Sequence, residues 1–322
     1  MRLRLVPQET NFDFFRFQKV TLGASIVAVF LSLAVWLGMG LNFGIDFLGG
    51  TTIRTESTLS VDTGAYRAAL EGLELGDVSI TEVFDPTFGE DRNVGMIRIQ
   101  AQDGQESVTP EVIVALEAAL NAYDPAMTFP SVESVGPKVS GELIWTAVLA
   151  VVTSLVAILF YIWLRFEWQF SVGAIAALFH DVILTIGIFS VFQIRFDLAT
   201  IAALLTIIGY SINDTVVIFD RLRENLRKYK KMPLRDLMNK SVNETLSRTL
   251  MTSGTTLLAL IALLIFGGDV IRGFVFAIAW GVIVGTYSSV YVAKNVVLIL
   301  GVKRDWSKPD ANQGNQFGNV DA

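Results

Sequence analysis

Cysteine is absent from the 322 residues, so no disulfide holds any part of this chain and thiol chemistry is closed to it. Charge is scarce too: Asp, Glu, Lys and Arg make up 17% of the residues, where a soluble domain carries about a quarter. Histidine occurs once. The residues form no Gly-rich GK(S/T) phosphate loop, no HExxH, no GxSxG and no Cys/His cluster. ATPase, zinc-hydrolase and serine-hydrolase chemistry therefore have nothing to stand on, and no catalytic residue, metal or cofactor is expected.

What fills the chain instead is apolar. Hydrophobic residues are 52% of the whole and mean hydropathy is +0.52, the composition of an integral membrane protein. A helix needs about 20 mostly apolar residues to cross the hydrocarbon core. Runs of that kind cover Val20–Met39, Leu143–Trp163, Phe170–Phe192, Leu198–Phe219, Leu250–Phe266 and Gly273–Leu300, the last spanning with part of its length. The first run is longer than a cleavable signal and ends without a small-x-small site, so a retained helix is expected.

Between the first two runs, residues 41–140 are polar and acidic. The pattern predicts strand 51–55, helix Thr63–Leu73, strands 78–84 and 94–100, and helix Pro110–Tyr123. Thr109 stands at the N-cap of that helix with Pro at its first position, and a last extended stretch, MTFPSVESVG, follows. The order β-α-β-β-α-β is the ferredoxin-like arrangement. The expected organisation is residues 1–19 as a short amphipathic start, 20–40 as the first membrane helix, 41–140 as the small α+β domain, and 141–301 as five further membrane helices. Within the last part, 220–247 is a basic loop; 302–322 is a polar tail too hydrophilic to bury anything.

Basic residues set the orientation. Arg2, Arg4, Arg16 and Lys19 precede the first helix, eight Lys and Arg fall within 220–247, and Lys303, Arg304 and Lys308 follow the last helix. The positive-inside rule then puts both termini and the basic loop in the cytoplasm and the acidic domain outside, with Arg195 alone against it. This topology accounts for the basic loop, which therefore is no nucleic-acid footprint.

Polar residues inside the apolar runs are the functional candidates, because a carboxylate at mid-helix costs about 2.5–3.5 kcal/mol and normally faces a bundle interior or a water path. Asp214 lies in IIGYSINDTVVIFD with Tyr210, Ser211, Asn213 and Thr215. It reads as a desolvated group able to take and release a proton; a structural Asp bonded within the bundle, or one near the headgroups, is the alternative. Arg248 is its natural counter-ion, with Thr252, Thr255 and Thr256 on the same helical face. A rim Arg, snorkelling or paired with Glu244, remains the alternative. His180 and Asp181 stand near the middle of the third run. Adjacent helical residues point about 100° apart, so the two are not expected to form one tight dyad. Asp181 is the relay candidate of the pair; His180 more commonly packs. Gly281 and Gly285, with Ser289, make a small-xxx-small face for helix packing.

Several longer motifs resemble those of a known family. GIDFLGG (44–50), FHDVILTIGIFSVF (179–192), IGYSINDTVVIFDRLREN (208–225) and SVNETLSRTLMTSGTT (241–256) are similar, in this order, to the SecF family, the smaller membrane subunits of the bacterial SecD–SecF protein-export complex. The likeness covers about Phe12 to Gly301. It implies six helices that form half of a twelve-helix bundle of the resistance-nodulation-division type, completed by SecD. It further implies association with the SecYEG channel, use of the proton gradient, and contact of the small domain with a translocating preprotein at the inner membrane. By the same resemblance Asp214 and Arg248 fall on the proton-pathway positions, the pair His180 and Asp181 on kept positions of less settled role, and Gly44, Asp46, Gly49 and Gly50 on the family motif. Desolvated Asp214 facing Arg248 would then switch between an ionised, paired state and a protonated, unpaired one. A small-molecule or lipid efflux subunit and a passive scaffold for the translocon are the rival readings.

Overall fold

A computed structural model describes residues 10–73, 75–76, 78–83, 92–100 and 108–302. Arg2 and Arg4, the end at Phe84 of the strand expected over 78–84, and the tail from residue 303 lie outside the described residues. Among the described residues six helices are long and apolar enough to cross a membrane: Gln18–Met39, Lys138–Arg165, Trp168–Val191, Leu198–Lys228, Leu234–Phe266 and Ile271–Leu300. Helices suit such runs because every backbone polar group finds its partner within the segment. In chain order they are α1 (Gln18–Met39), α5 (Pro137–Arg165), α6 (Trp168–Val191), α7 (Leu198–Lys228), α8 (Leu234–Phe266) and the composite of α9 (Asp269–Ser288) with α10 (Lys294–Leu300).

Between α9 and α10 the residues Ser289–Ala293 form a π-helical turn, which no hydropathy pattern marks. Burial separates the spans. The apolar windows of α1 and α5 are each 6% buried, against 67% for the last span, so α1 and α5 are rim helices and α9 is central.

The segment 220–247, expected as a basic loop, is mostly helix. α7 continues to Lys228, and α8 starts at Leu234, well ahead of the apolar run that begins at Leu250. Hydropathy finds the part of a helix that lies in hydrocarbon; charged turns beyond it are helical but invisible to that measure. Glu244 ties the two extensions, accepting from Arg221 at 2.7 Å and from Asn225 at 2.6 Å. The chain before α1 is strapped to the same end of the bundle. Phe12 and Phe14 donate backbone N–H groups to Asn243 and Asn239 of α8. Phe14 and Phe15 then flank the buried ammonium of Lys294, whose Nζ lies 5.0 and 4.1 Å from their ring centroids and 5.2 Å from that of Tyr291. A desolvated cation over aromatic faces gains about 2 kcal/mol or more.

The small domain has the β-α-β-β-α-β order: β2 (Gly50–Ser57), α3 (Thr63–Leu70), β3 (Val78–Val83), β4 (Asn93–Ile99), α4 (Pro110–Tyr123) and β5 (Thr128–Val135). The strands make one antiparallel sheet in the order β3-β4-β2-β5. Period-two alternation sends Ile53, Ile80, Ile97 and Ile99 against Tyr66, Leu116 and Leu120 of the helices, which forms the domain core. The helix expected to reach Leu73 ends at Leu70 and tightens into a 3₁₀ turn, Glu71–Leu73. Thr109 occupies the N-cap of α4 without a side-chain hydrogen bond to the helix.

Helix packing depends on two glycines of α9. A Cβ on Gly281 would fall 2.3 Å from Ile207 Cγ1, and one on Gly285 would fall 3.0 Å from Ser211 Cβ. Absence of a side chain there lets α9 lie close along α7. Replacing Gly281 with Val is expected to lower stability by about 1–3 kcal/mol, the usual cost of overpacking. Gly23→Ala, where nothing lies within 4 Å, should melt like the parent. Equal melting temperatures for the two variants in detergent would show that the α7–α9 approach is not tight.

Candidate functional site

A polar group at the centre of the bundle is the Asp181 carboxylate of α6, 1% exposed. Its Oδ1 lies 2.9 Å from His180 Nδ1. Its Oδ2 accepts from the Ser211 hydroxyl of α7 and, at 2.8 Å, from the Ser288 hydroxyl of α9. One side chain thus joins three helices. The expectation that His180 and Asp181 could not meet is corrected here. Their Cα–Cβ bonds diverge, but rotation about χ1 and χ2 brings the side-chain ends together, and no water competes in this buried position. The His180 ring also stacks on Tyr287 at 6.0 Å, and Tyr287 OH donates to Thr21 O of α1 at 2.9 Å. His180 Nε2 is buried with no hydrogen-bond partner. Thr185 spends its hydroxyl on the Asp181 carbonyl, a helix back-bond.

Asp214 sits one turn beyond Ser211 on α7 and is 4% exposed. Its Oδ2 is buried without a hydrogen bond, as are Thr215 Oγ1 on the same helix and Thr249 Oγ1 on α8. An unsatisfied buried carboxylate oxygen is expensive and marks a place that is functional or waiting for a partner. Arg248 acts on it through charge, and Ser253 is its side-chain hydrogen-bonding neighbour. Among the described residues no ion pair of 4.0 Å or less joins Asp214 to Arg248, so the expected direct pairing is not formed. Arg248 is exposed and lines a groove of about 430 Å³ with Asp220, Arg165 and Tyr161. Glu244, the alternative partner for Arg248, is instead bonded to Arg221, with Lys240 at 3.4 Å.

The supporting positions divide. Ser211 is buried and bonded as described, whereas Asn213, Thr252 and Thr255 are exposed. Thr252 and Thr255 do share a face with Arg248, but that face turns out of the six helices, and their hydroxyls return to carbonyls of their own helix. The inward face of α8 carries Val242, Thr245, Thr249 and Ser253 instead, at spacings of three and four residues. Ser253 exchanges a hydrogen bond of 2.7 Å with Thr286 of α9. The sequence reading missed Ser253, Thr286, Ser288 and Tyr287; small hydroxyl residues opposite the two glycines of α9 were the available signal. Exposed Thr206, Gly209 and Asn213 on α7, with Arg248, Thr252 and Thr255 on α8, leave polar surface at membrane depth that the six helices do not cover.

The 44–50 motif lies at the junction of bundle and domain. Strand β1 (Asn42–Phe43) pairs in parallel with β6 (Arg195–Phe196), next to α7, and Gly44 N–H donates to Phe196 O at 2.8 Å. A Cβ on Gly44 would stand 3.0 Å from Arg195 Nε. Within the short helix α2 (Ile45–Leu48), Asp46 Oδ2 accepts from Leu198 N–H at 3.0 Å, the first residue of α7. Asp197 caps the same end through Thr200 N–H. Gly49 and Gly50 have φ of 72° and 118°, which a residue with a Cβ adopts only under strain, and they turn the chain into β2. The motif therefore fastens the domain to the helix that carries Asp214.

Comparison with known proteins comes down on one family. Residues 115–303 match the family described as protein export membrane protein SecD/SecF, C-terminal, and residues 34–58 match the SecD/SecF GG motif. The chain is 67% identical over 321 residues to a protein of Cereibacter sphaeroides named protein translocase subunit SecF, covering 100% of this chain and 99% of that one. It is 42% identical to a protein of the same name from Rickettsia bellii, covering 94% and 97%. A crystal structure of SecDF from Thermus, described as a translocon-associated membrane protein, superposes with a TM-score of 0.82 at 37% identity. That match covers 93% of this chain, which spans only 40% of the length of the SecDF chain.

Loss of the Asp46 cap gives a local test of the junction. Asp46→Ala should cost about 1 kcal/mol at the start of α7. Amide exchange at Leu198–Ile201 should then speed roughly fivefold, with the domain core unchanged. Unchanged exchange there would mean Asp197 alone holds that end.

Proposed function

The chain belongs to the SecF family of protein translocase subunits, and on that premise we propose that it works with a SecD partner to couple the proton gradient to late preprotein translocation and release. It is a multi-pass protein of the inner membrane. We place both termini and the basic helix extensions in the cytoplasm and the small domain in the periplasm, as the positive-inside rule favours. The translocon and the emerging polypeptide are the further contacts of this reading.

The observation that carries it is Asp214: a carboxylate held inside a membrane-spanning helix, with Oδ2 buried and unbonded. A structural Asp would be expected to resemble Asp181, with its oxygens bonded to Ser211, Ser288 and His180. Asp214 can exchange a proton without first breaking such a network. Proton binding removes its charge and with it the attraction for Arg248; release restores both. A shift of α7 against α8 that follows this change reaches the other end of α7, where Asp46 and the β1–β6 pair hold the domain. The exposed polar face of α7 and α8 supports a SecD partner, since hydroxyl, amide and guanidinium groups facing hydrocarbon are costly. The solved SecDF chain, of which this chain spans 40%, is a physical parallel for such a partner.

Asp214→Asn keeps the shape and removes the titrating group. In inverted vesicles with normal subunit levels and intact SecD association, gradient-stimulated export should fall to the level seen without a gradient. Export at the parent rate would sink the relay and leave a scaffold. The lack of cysteine makes a second test clean. Asn213→Cys should react with a maleimide in the chain alone and be protected when SecD is present. Equal labelling in both preparations would remove this face as the contact.

A further inference from the structure

The sheet of the small domain turns its open face toward the bundle, and a cleft of about 720 Å³ lies between them. Four arginines line it: Arg54 of β2, Arg98 of β4, Arg195 of β6 and Arg272 of α9. Three of its groups are donors buried without a hydrogen bond: Thr52 Oγ1, Arg98 Nε and Arg195 Nε. Thr52 is 5% exposed and stands opposite Arg98 across the β2–β4 ladder, so both project from the same face of the sheet. Burial, and after it the charge of Arg195, hold the Arg98 guanidinium below its usual range. Two cations that disfavour each other across a cleft, each with an unused N–H, are the surroundings an oxyanion relieves.

The acids that share the cleft do not fill that role. Asp197 Oδ1 accepts from the Thr200 N–H and hydroxyl in capping α7, and its Oδ2 stays 3.7 Å from Arg195 Nε. Glu82 and Glu133 are exposed, and Glu133 accepts from Ser131. The bundle side of the cleft adds apolar groups to Arg195 and Arg272: Ile194, Leu264, Phe274 and Phe276. Exposed Leu263, Ile265 and Phe266 continue that surface at the end of α8. Cationic donors and apolar side chains thus line one cleft at the end of the bundle, which suits an amphiphile better than a free ion.

We propose that this cleft binds an anionic phospholipid from the leaflet on the domain's side, its phosphate held by Arg98, Arg195 and Thr52 and its acyl chain laid over Leu264 and Phe274. Occupied, it would brace the domain against the bundle.

Native mass spectrometry of the full-length chain in neutral detergent tests this, with phosphatidylglycerol and phosphatidylcholine as probes. Phosphatidylglycerol adducts should survive at activation energies that strip phosphatidylcholine. The double variant Arg98→Gln with Arg195→Gln should lose about tenfold in phosphatidylglycerol affinity, as loss of charged hydrogen bonds implies. The corresponding double Lys variant should lose less. Thr52→Val, which keeps shape and charge, should weaken retention roughly threefold, and it guards against misfolding of the double variant. Retention by the Gln double variant equal to the parent's overturns the site. Displacement by equimolar inorganic phosphate, or by a soluble acidic peptide, overturns the lipid as its occupant.

Discussion

A buried charge in a membrane must find partners within the protein, and the Asp181 carboxylate is where this bundle meets that demand. Two serines from different helices and one imidazole close around it. Those bonds are possible only because Gly285 lets α9 come within reach of Ser211, so close packing and polar satisfaction are one arrangement. Gly187 of α6 allows a similar approach to Ser32 of α1, on the other side. The central helices are therefore fixed relative to one another. Asp214, one turn from this hub yet outside its network, is the exception that the hub makes conspicuous.

Much of this was legible from residue pattern. Length and hydropathy located six spans, alternation located the four strands of the domain, and Pro110 marked the start of α4. Orientation of helix faces was less legible. Arg248, Thr252 and Thr255 share a stripe, but a sequence does not say whether a polar stripe turns inward or toward another chain. In a single-chain soluble protein the answer is usually solvent; in a membrane half-bundle the outward face can be the more polar one. The Asp181–His180 pair was missed for a different reason. Side-chain torsions, not Cβ directions, decide whether neighbours touch, and those torsions are set by what crowds them from α7 and α9.

The path from bundle to domain is short. Strand pairing joins Asn42 and Phe43 to Arg195 and Phe196, and Asp46 bonds to the first amide of α7. Phe43 packs edge to face on both Phe47 and Phe196 around that link. The connection is thus made by backbone and aromatic contacts that resist bending, rather than by a flexible linker. Displacement of the helix and displacement of the domain would be hard to separate.

The π-helical turn at Ser289–Ala293 has a consequence for how the chain can change length. It separates Ser288, bonded to Asp181, from Lys294, held among Phe14, Phe15 and Tyr291. A π turn holds one residue more than the α turn it replaces. Were the same residues to relax into a regular α-helix, everything beyond would rotate by about 100° against what precedes it. Lys294 would leave its aromatic surroundings, and the chain ahead of α1 would lose its anchor. By absorbing the extra residue in one wide turn, the π segment keeps the polar centre of the bundle and its far end in angular register.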